Sequence, residues 1–406
     1  MLSTLIYRSR ARTALRPEDL QRLLKSARER NAALQITGIL LFDGVHFVQL
    51  IEGPEDAVAA LFATIQADPR HCNVVQLLRD HAPAPRFGTG PMALLDRREL
   101  EGGAVLPALL ERMTAKTVAS NDDRVVNILQ VYAGERWADH IVEGDDVHNW
   151  RMIEDHVREK QAQGGFAGHP CQFALQPIVE PRRRKISSFE FLIRSPSGGS
   201  PESYFNTVPA EQLYLADLQS KAFAFDLVNR LGLQDSKLSI NLLPMSLTDV
   251  PLAVERLLEQ ISSHGLNPRQ VIVEVTEQQA ISRLDAFGAA IVQLRRAGMS
   301  VAIDDFGAGF AGLSLLAEFQ PDKLKIDRKI IQGIHVDGPR QAIVRAIVQA
   351  CSAMGIIPVA EGVETMEEWC WLQAAGLERF QGYLFARPAL NGVPAINWPD
   401  PAPLAA

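Results

Sequence analysis

The chain has 406 residues, 47% of them apolar and 22% charged, with a formal net charge of −7. This composition excludes a disordered chain and a disulfide-dependent miniprotein, and the length suits two or three domains with cores of their own. Residues 1–95 carry a net +2 and residues 96–406 a net −9, so neither part has the basic excess needed to grip duplex nucleic acid.

The charge-free runs 161–179 and 346–360 are interrupted by Gly and Pro or fall short of the roughly 20 apolar residues of a span, so no membrane insertion is expected. Arg8, Arg10 and Arg12 follow the first apolar stretch, the reverse of a secretory signal. Cys72, Cys171, Cys351 and Cys370 show neither pairing nor metal spacing and read as reduced thiols of a cytoplasmic protein.

In chain order, residues 2–7 form a short apolar strand. Residues 17–31 form a helix that starts on Pro17, Glu18 and Asp19, residues suited to its positively polarised end. Residues 38–42 and 47–51 are two further strands around Asp43-Gly44, a hairpin signal. A helix over 57–66 and a strand over 73–78 complete a small α+β unit, expected as a mixed sheet with helices on one face. Residues 96–170 are net −5 and amphipathic, with Val125, Ile128, Leu129 and Tyr132 at helical spacing. They read as a helical spacer or coupling element that ends at a flexible boundary near 163–168.

From residue 171 strands alternate with helices. Strands are expected at 238–243, 271–275, 301–303, 324–326 and 356–359, with helices over 281–297 and 341–354. Leu284, Phe287, Ile291 and Leu294 form an apolar stripe on the first helix. The rhythm predicts a (β/α)8-type barrel over 171–406, with a doubly wound open sheet as the alternative.

Carboxylates and their companions recur at the ends of these strands: Glu190, Asn241, Glu274 with Glu277, Asp304-Asp305, Lys325 with Asp327, and Glu361 with Glu364. Strand ends of a parallel barrel converge on one face. Crowded carboxylates repel unless cations join them, and a hard oxygen set without Cys or His suits Mg2+ or Mn2+. Single strand-end acids are ordinary helix caps; five or more in strand register are not. A competing G-x-G-x-x-G spans Gly307, Gly309 and Gly312, with Asp327 at dinucleotide-fingerprint spacing. Asp304 and Asp305 immediately before it would repel a pyrophosphate, so a loop beside metals is the better reading.

The motifs Glu190-Phe-Leu-Ile-Arg194, Asn241, Glu274-Val-Thr-Glu277, Asp304-Asp-Phe-Gly-Ala-Gly309, Lys325-Ile-Asp327, Glu361-Gly-Val-Glu364-Thr and Gln381-Gly-Tyr resemble those of EAL-type cyclic di-GMP phosphodiesterases, in order, over 171 to about 390. The resemblance implies two metals: Glu190, Asn241, Glu274 and Asp304 hold one, and Asp304, Asp305 and Glu361 the other. It implies that Lys325 orients the attacking water, that Glu277 steadies the glycine loop, and that Gln176, Arg194 and Gln381 meet the substrate. The product would be linear pGpG. Phe191 replaces the middle Ala of the name motif, and Ala308, Phe310 and Ala311 replace commoner Thr, Tyr and Ser in the loop.

Leu5-Ile-Tyr7-Arg-Ser9, Arg28-Glu-Arg-Asn31, Ile36-Thr-Gly-Ile-Leu40, Phe47-Val-Gln49-Leu-Ile-Glu-Gly53 and Asp68-Pro-Arg-His71 resemble the BLUF family of blue-light sensors using FAD, whose sensor is ferredoxin-like, over residues 1–95. The resemblance implies that Asn31 anchors the flavin, that Tyr7 and Gln49 rearrange on excitation, and that Met92 lies near the ring. The Trp common two residues before that Met is Gly90 here. Read from the residues alone, Tyr7 would be an ordinary core residue and Gln49 a solvent-facing one. The combined expectation is a homodimeric, light-regulated phosphodiesterase of three parts, 1–95, 96–170 and 171–406. A non-hydrolysing cyclic di-GMP receptor and a flavin redox enzyme are the other readings. The downstream partner stays unspecified.

Overall fold

Apolar residues on both faces of the first strands decide the N-terminal architecture. The computed structural model describes residues 2–82, 85–87, 92–100, 104–113, 123–134, 136–163, 168–277, 284–308 and 312–403. Gly90, Gly309 and Phe310, and most of the 163–168 boundary, lie outside them. The chain forms two compact units, one of Met1–Glu143 with Gly333–Ile343, the other of Gly144–Gln332 with Val344–Ala406.

In the first unit β1 (Leu2–Ala11), β2 (Thr37–Phe42), β3 (His46–Pro54), β4 (His71–Ala82) and β5 (Ala93–Asp96) make one sheet of order β4-β1-β3-β2-β5. Only β2 and β5 pair in parallel. The Asp43-Gly44 turn forms where it is expected: the Asp43 carboxylate accepts from Val45 N and His46 N, and Gly44 takes φ +106°. Helices α1 (Pro17–Ala33) and α2 (Glu55–Gln66) cover one face, burying Leu5, Ile51, Val58, Leu61 and Phe62 beneath α2 and Leu20, Leu24 and Phe47 beneath α1.

The opposite face is not solvated, which corrects the expectation of helices on one side only. Ile6, Ile39, Val48 and Leu50 bury against Val105, Leu109, Val125 and Leu129 of the helices Val105–Glu111 and Arg124–Ala133. Side chains alternate along a strand, so Leu5, Tyr7 and Ile51 serve one core while Ile6, Val48 and Leu50 demand a second. The first half of the acidic stretch supplies that cover.

In the second unit the later part of that stretch is extended: β6 (Trp150–Asp155) pairs with β18 (Ile396–Pro401), and β7 (Lys160–Gln161) with β17 (Gly392–Val393). The barrel comprises β8 (Gln172–Glu180), β9 (Lys185–Arg194), β10 (Leu238–Asn241), β11 (Val271–Thr276), β12 (Ser300–Phe306), β13 (Lys323–Ile326), β14 (Ile357–Ala360) and β15 (Arg379–Phe380). Pairing of Phe380 with Val179 closes the ring, which excludes the open sheet. β8 runs antiparallel to both neighbours, since only Pro181–Arg184 joins it to β9 and a parallel crossover needs a dozen or more residues. β16 (Ala389–Leu390) adds to β8 outside the ring. The predicted helices appear as Leu284–Arg296 and Gly338–Met354, and Ile291 and Leu294 of the apolar stripe are buried.

Candidate functional site

The barrel gathers the acidic residues because register aligns them. Across β10 and β11 Asn241 pairs with Glu274, and across β11 and β12 Thr276 pairs with Asp304. On the antiparallel side Gln176 stands opposite Glu190. Partners in register share a face, so all these side chains enter the barrel mouth.

Asp304 and Asp305 are consecutive and would point to opposite faces of a regular strand. Here the β12–β13 register shifts between Ile303 and Phe306, and Asp305 adopts φ +55°. This left-handed residue in a bulge turns both carboxylates into one site. Oxygens of Glu190, Glu274 and Asp304 lie within 4.8 Å of one another, and so do those of Asp304, Asp305 and Glu361. Asp304 belongs to both groups. Glu274 Oε1 is buried with no hydrogen-bond partner among the described residues, an orphaned acceptor that a cation would satisfy. The residues therefore fit two hard divalent ions.

At the centre stands Lys325, 1% exposed. Its Nζ lies 2.7 Å from Glu361, 2.9 Å from Glu274, 3.1 Å from Asp304 and 3.4 Å from Glu190. Burial alone would lower its pKa, but the four carboxylates hold it well above the ordinary lysine value. Burial, with Glu190 and Asp304, pushes Glu274 up to about 8 against the pull of Lys325. Burial, Asp304 and Asp327 push Asp305 up to about 6.

The other expected residues surround this core. Asn241 Nδ2 donates to Glu190 Oε1 at 2.8 Å. Gln381 Nε2 donates to Glu190 Oε2 at 2.7 Å and to Gln176 Oε1 at 3.1 Å, closer to the acids than a peripheral substrate contact. Glu277 Oε2 accepts from Gly307 N at 2.9 Å and so anchors the start of the glycine loop. Gly307 takes φ +94°, and an added Cβ would meet Ile330 Cδ1 at 2.1 Å, so a side chain there would be strained and would displace Ile330. Arg194 bonds its neighbouring carbonyl, Ile193 O, at 2.9 Å and forms no ion pair with these acids among the described residues. Glu364 pairs with Arg328 at 2.8 Å, and Asp327 caps the short helix Arg328–Ile331.

A second site lies in the first unit. Tyr7, Asn31, Gln49 and Met92 line one cavity between the sheet and α1 and α2, with about 760 Å³ of space including its open mouth. Tyr7 and Gln49 pair across β1 and β3, and the Tyr7 hydroxyl donates to Gln49 Oε1. Burial raises the phenol's pKa, so Tyr7 stays protonated. Gln49 Nε2 donates to Met92 Sδ at 3.5 Å, and Arg28 Nε donates to Met92 O at 2.9 Å. Gln49 is 8% exposed and faces the cavity, contrary to the ordinary expectation for a lone polar residue in a strand. Asn31 Oδ1 is buried without a partner among the described residues, as an acceptor awaiting a ligand would be. The cavity also takes Arg30, Thr64, Asp68, Arg70 and His71, to which residue-level reasoning gave no role. Asp68, Arg70 and His71 stand in the Asp68-Pro-Arg-His71 run at the turn after α2, where Arg70 Nε donates to Asp68 Oδ1 at 3.0 Å.

Comparison with known proteins finds relatives of both parts of the chain. Residues 160–388 match the family described as EAL domain, and residues 2–93 match Sensors of blue-light using FAD. The blue light- and temperature-regulated antirepressor BluF of Escherichia coli (strain K12) is 44% identical, covering 98% of this chain and 100% of that protein. Klebsiella pneumoniae BlrP1 in a calcium/cy-diGMP complex superposes with a TM-score of 0.92 at 46% identity, covering 99% of this chain and 100% of that one. The cyclic di-GMP phosphodiesterase RocR of Pseudomonas aeruginosa is 36% identical over 38% of this chain and 39% of its own.

Proposed function

This chain belongs to the BLUF–EAL family, and on that footing we propose that it hydrolyses cyclic di-GMP to linear pGpG under blue-light control. The observation that carries the reading is the pair of carboxylate groups sharing Asp304 around Lys325.

Glu190, Asn241, Glu274 and Asp304 hold one divalent ion, Mg2+ or Mn2+, and Asp304, Asp305 and Glu361 the other. Bound there, the pair supplies positive charge to the phosphodiester and lowers the pKa of an attacking water. Lys325 orients that water and stabilises charge developing on phosphate oxygen, because its ammonium is held charged by its surroundings. Gln176 and Gln381 present amides beside Glu190, and Arg194 offers a guanidinium to the substrate phosphate. Glu277 keeps the glycine loop in place through Gly307.

FAD, bound by Asn31 and the cavity around it, supplies light absorption. Tyr7 and Gln49 carry the response: an amide turned over exchanges donor for acceptor, which reverses the Tyr7–Gln49 bond, the phenol oxygen now accepting, and breaks the Gln49–Met92 bond. Next to Tyr7 in β1, Arg8 donates to Gln341 Oε1 at 3.0 Å, and Asp337 bridges Gln76 of β4. The segment Gly333–Ile343 thus belongs to the sensor's unit while following Lys325 by only eight residues in the chain. Light control requires that this arrangement differ in free energy between the two states. Functionally we divide the chain into sensor (1–95), coupling stretch (96–170) and hydrolase (171–406). Homodimerisation and cytoplasmic residence complete the proposal; no described helix is long and apolar enough to cross a membrane.

The test is hydrolysis of cyclic di-GMP with Mn2+ by the purified flavin-loaded protein, in darkness and in blue light. Faster pGpG release in light is expected, and equal rates refute light control. The relative named as an antirepressor favours a second reading, a light-controlled receptor that binds cyclic di-GMP without cleaving it. Binding without any pGpG would establish it.

A further inference from the structure

We propose that Asp217 is a positioning residue for Asn241, holding that metal ligand through the backbone that leaves β10. The inference rests on the ligand set given above. Asp217 and Lys221 are each 2% exposed on the helix Leu213–Leu231, and the Lys221 Nζ lies 2.6 Å from Asp217 Oδ1. A buried ion pair is no more stabilising than well-packed apolar residues of similar volume, so packing alone does not explain it.

What Asp217 holds is specific. Its Oδ2 accepts from Leu243 N at 2.9 Å and from Ser246 Oγ at 2.7 Å. Leu243 lies two residues beyond Asn241 and leads into the short helix Pro244–Thr248. The preceding amide, Leu242 N, donates to Glu274 O at 2.9 Å. Two successive amides are therefore pinned from opposite sides, one by the neighbouring barrel strand and one by Asp217. This fixes the backbone from which the Asn241 side chain projects. With Nδ2 of Asn241 committed to Glu190, its Oδ1 is the atom left to offer a cation. Lys221 fills the remaining oxygen of Asp217 and keeps the carboxylate aimed at the Leu243 amide. Outer groups that orient metal ligands are worth about 10- to 100-fold in metal affinity.

The test uses the full-length protein stripped of metal. Mn2+ binding is followed without substrate by the electron paramagnetic resonance of free Mn2+, and hydrolysis is then titrated with Mn2+. Asp217→Asn should weaken one of the two Mn2+ sites by about 10-fold or more, with kcat at saturating Mn2+ within about threefold of wild type. Ser246→Ala, which removes one bond and leaves the buried ion pair, should shift the same site less and decides the matter if Asp217→Asn does not fold. Unchanged Mn2+ affinity in both variants, beside a weakened Asn241→Ala control, overturns the inference even if thermal stability falls. Unchanged affinity in Asn241→Ala itself overturns the ligand set, and the inference with it.

Discussion

Both sites bury polar groups, and they do so by opposite means. In the barrel mouth an ammonium is surrounded by four carboxylates, and the orphaned Glu274 Oε1 marks where more positive charge belongs. In the sensor cavity a phenol, an amide and a thioether are linked in a neutral chain. Charges in a low-dielectric interior bind ions strongly and resist rearrangement, while neutral amides exchange partners at small cost. One site is built to hold metals still, the other to switch.

Substitutions can break this contrast, beginning with the largest effect. Glu190→Ala should lower pGpG formation by about 10³-fold or more, about 4 kcal/mol of barrier; retention of a tenth of the rate, by product chromatography, would remove Glu190 from the ligand set. Lys325→Met leaves the acids uncompensated. At pH 8 it should destabilise the metal-free protein by about 3–5 kcal/mol, with much of the loss recovered in Mn2+. Calorimetric melting with and without Mn2+ checks this, and an equal loss in both conditions would contradict a charge-balancing role. Leu129→Ala should cost about 3 kcal/mol in melting of the first unit, because Leu129 is wholly buried against the sheet. Its dark hydrolysis rate should stay near wild type, and a collapse of that rate would show the hydrolase depends on this packing.

Gln49→Ala should keep the flavin and lose the light-induced absorption shift, while changing stability by about 1 kcal/mol at most. A normal photocycle would exclude the amide switch. The effect confined to stability and its pH dependence is at His46, whose ring nitrogens face Asp43 Oδ2 at 3.1 Å and Glu143 Oε1 at 2.9 Å. These hydrogen bonds raise it to about 9 against its burial. A raised histidine stabilises fully below its unfolded value near 6.5 and loses that contribution as pH climbs through about 9. Since the pair is partly exposed, the wild type should lose about 1–2 kcal/mol relative to His46→Gln between pH 6.5 and 9.5. A constant difference between the two melting curves would dismiss this bond as a source of pH dependence.

Legibility followed the same divide. Glu190, Glu274, Asp304 and Glu361 could be placed from residues alone, since strand-end periodicity and the need to compensate charge are written in the order of residue types. Tyr7 and Gln49 needed a family resemblance, because a phenol and an amide among apolar residues have commoner roles. Three features were not legible. The acidic stretch turned out half sheet cover and half edge strand: Val125 and Leu129 betray a helix but not its partner, and Trp150–Asp155 pairs with a strand over 240 residues later. The reversal of β8 depended on the shortness of the Pro181–Arg184 link, and the approach of Gln381 to Glu190 on ring closure.

By itself the sequence determined the inventory: two functional parts, the strand rhythm and the acids at strand ends. Such features follow from local spacing and side-chain chemistry. Tertiary structure decided which groups meet. Asp305 joins Asp304 only because a left-handed bulge turns it inward, Lys325 is charged because four acids from separate strands converge on it, and Asp217 reaches the chain beyond Asn241 from a helix well before it. Electrostatic energy and hydrogen bonding depend on distances of a few ångströms between residues far apart in the chain, and those distances exist only once the barrel has closed.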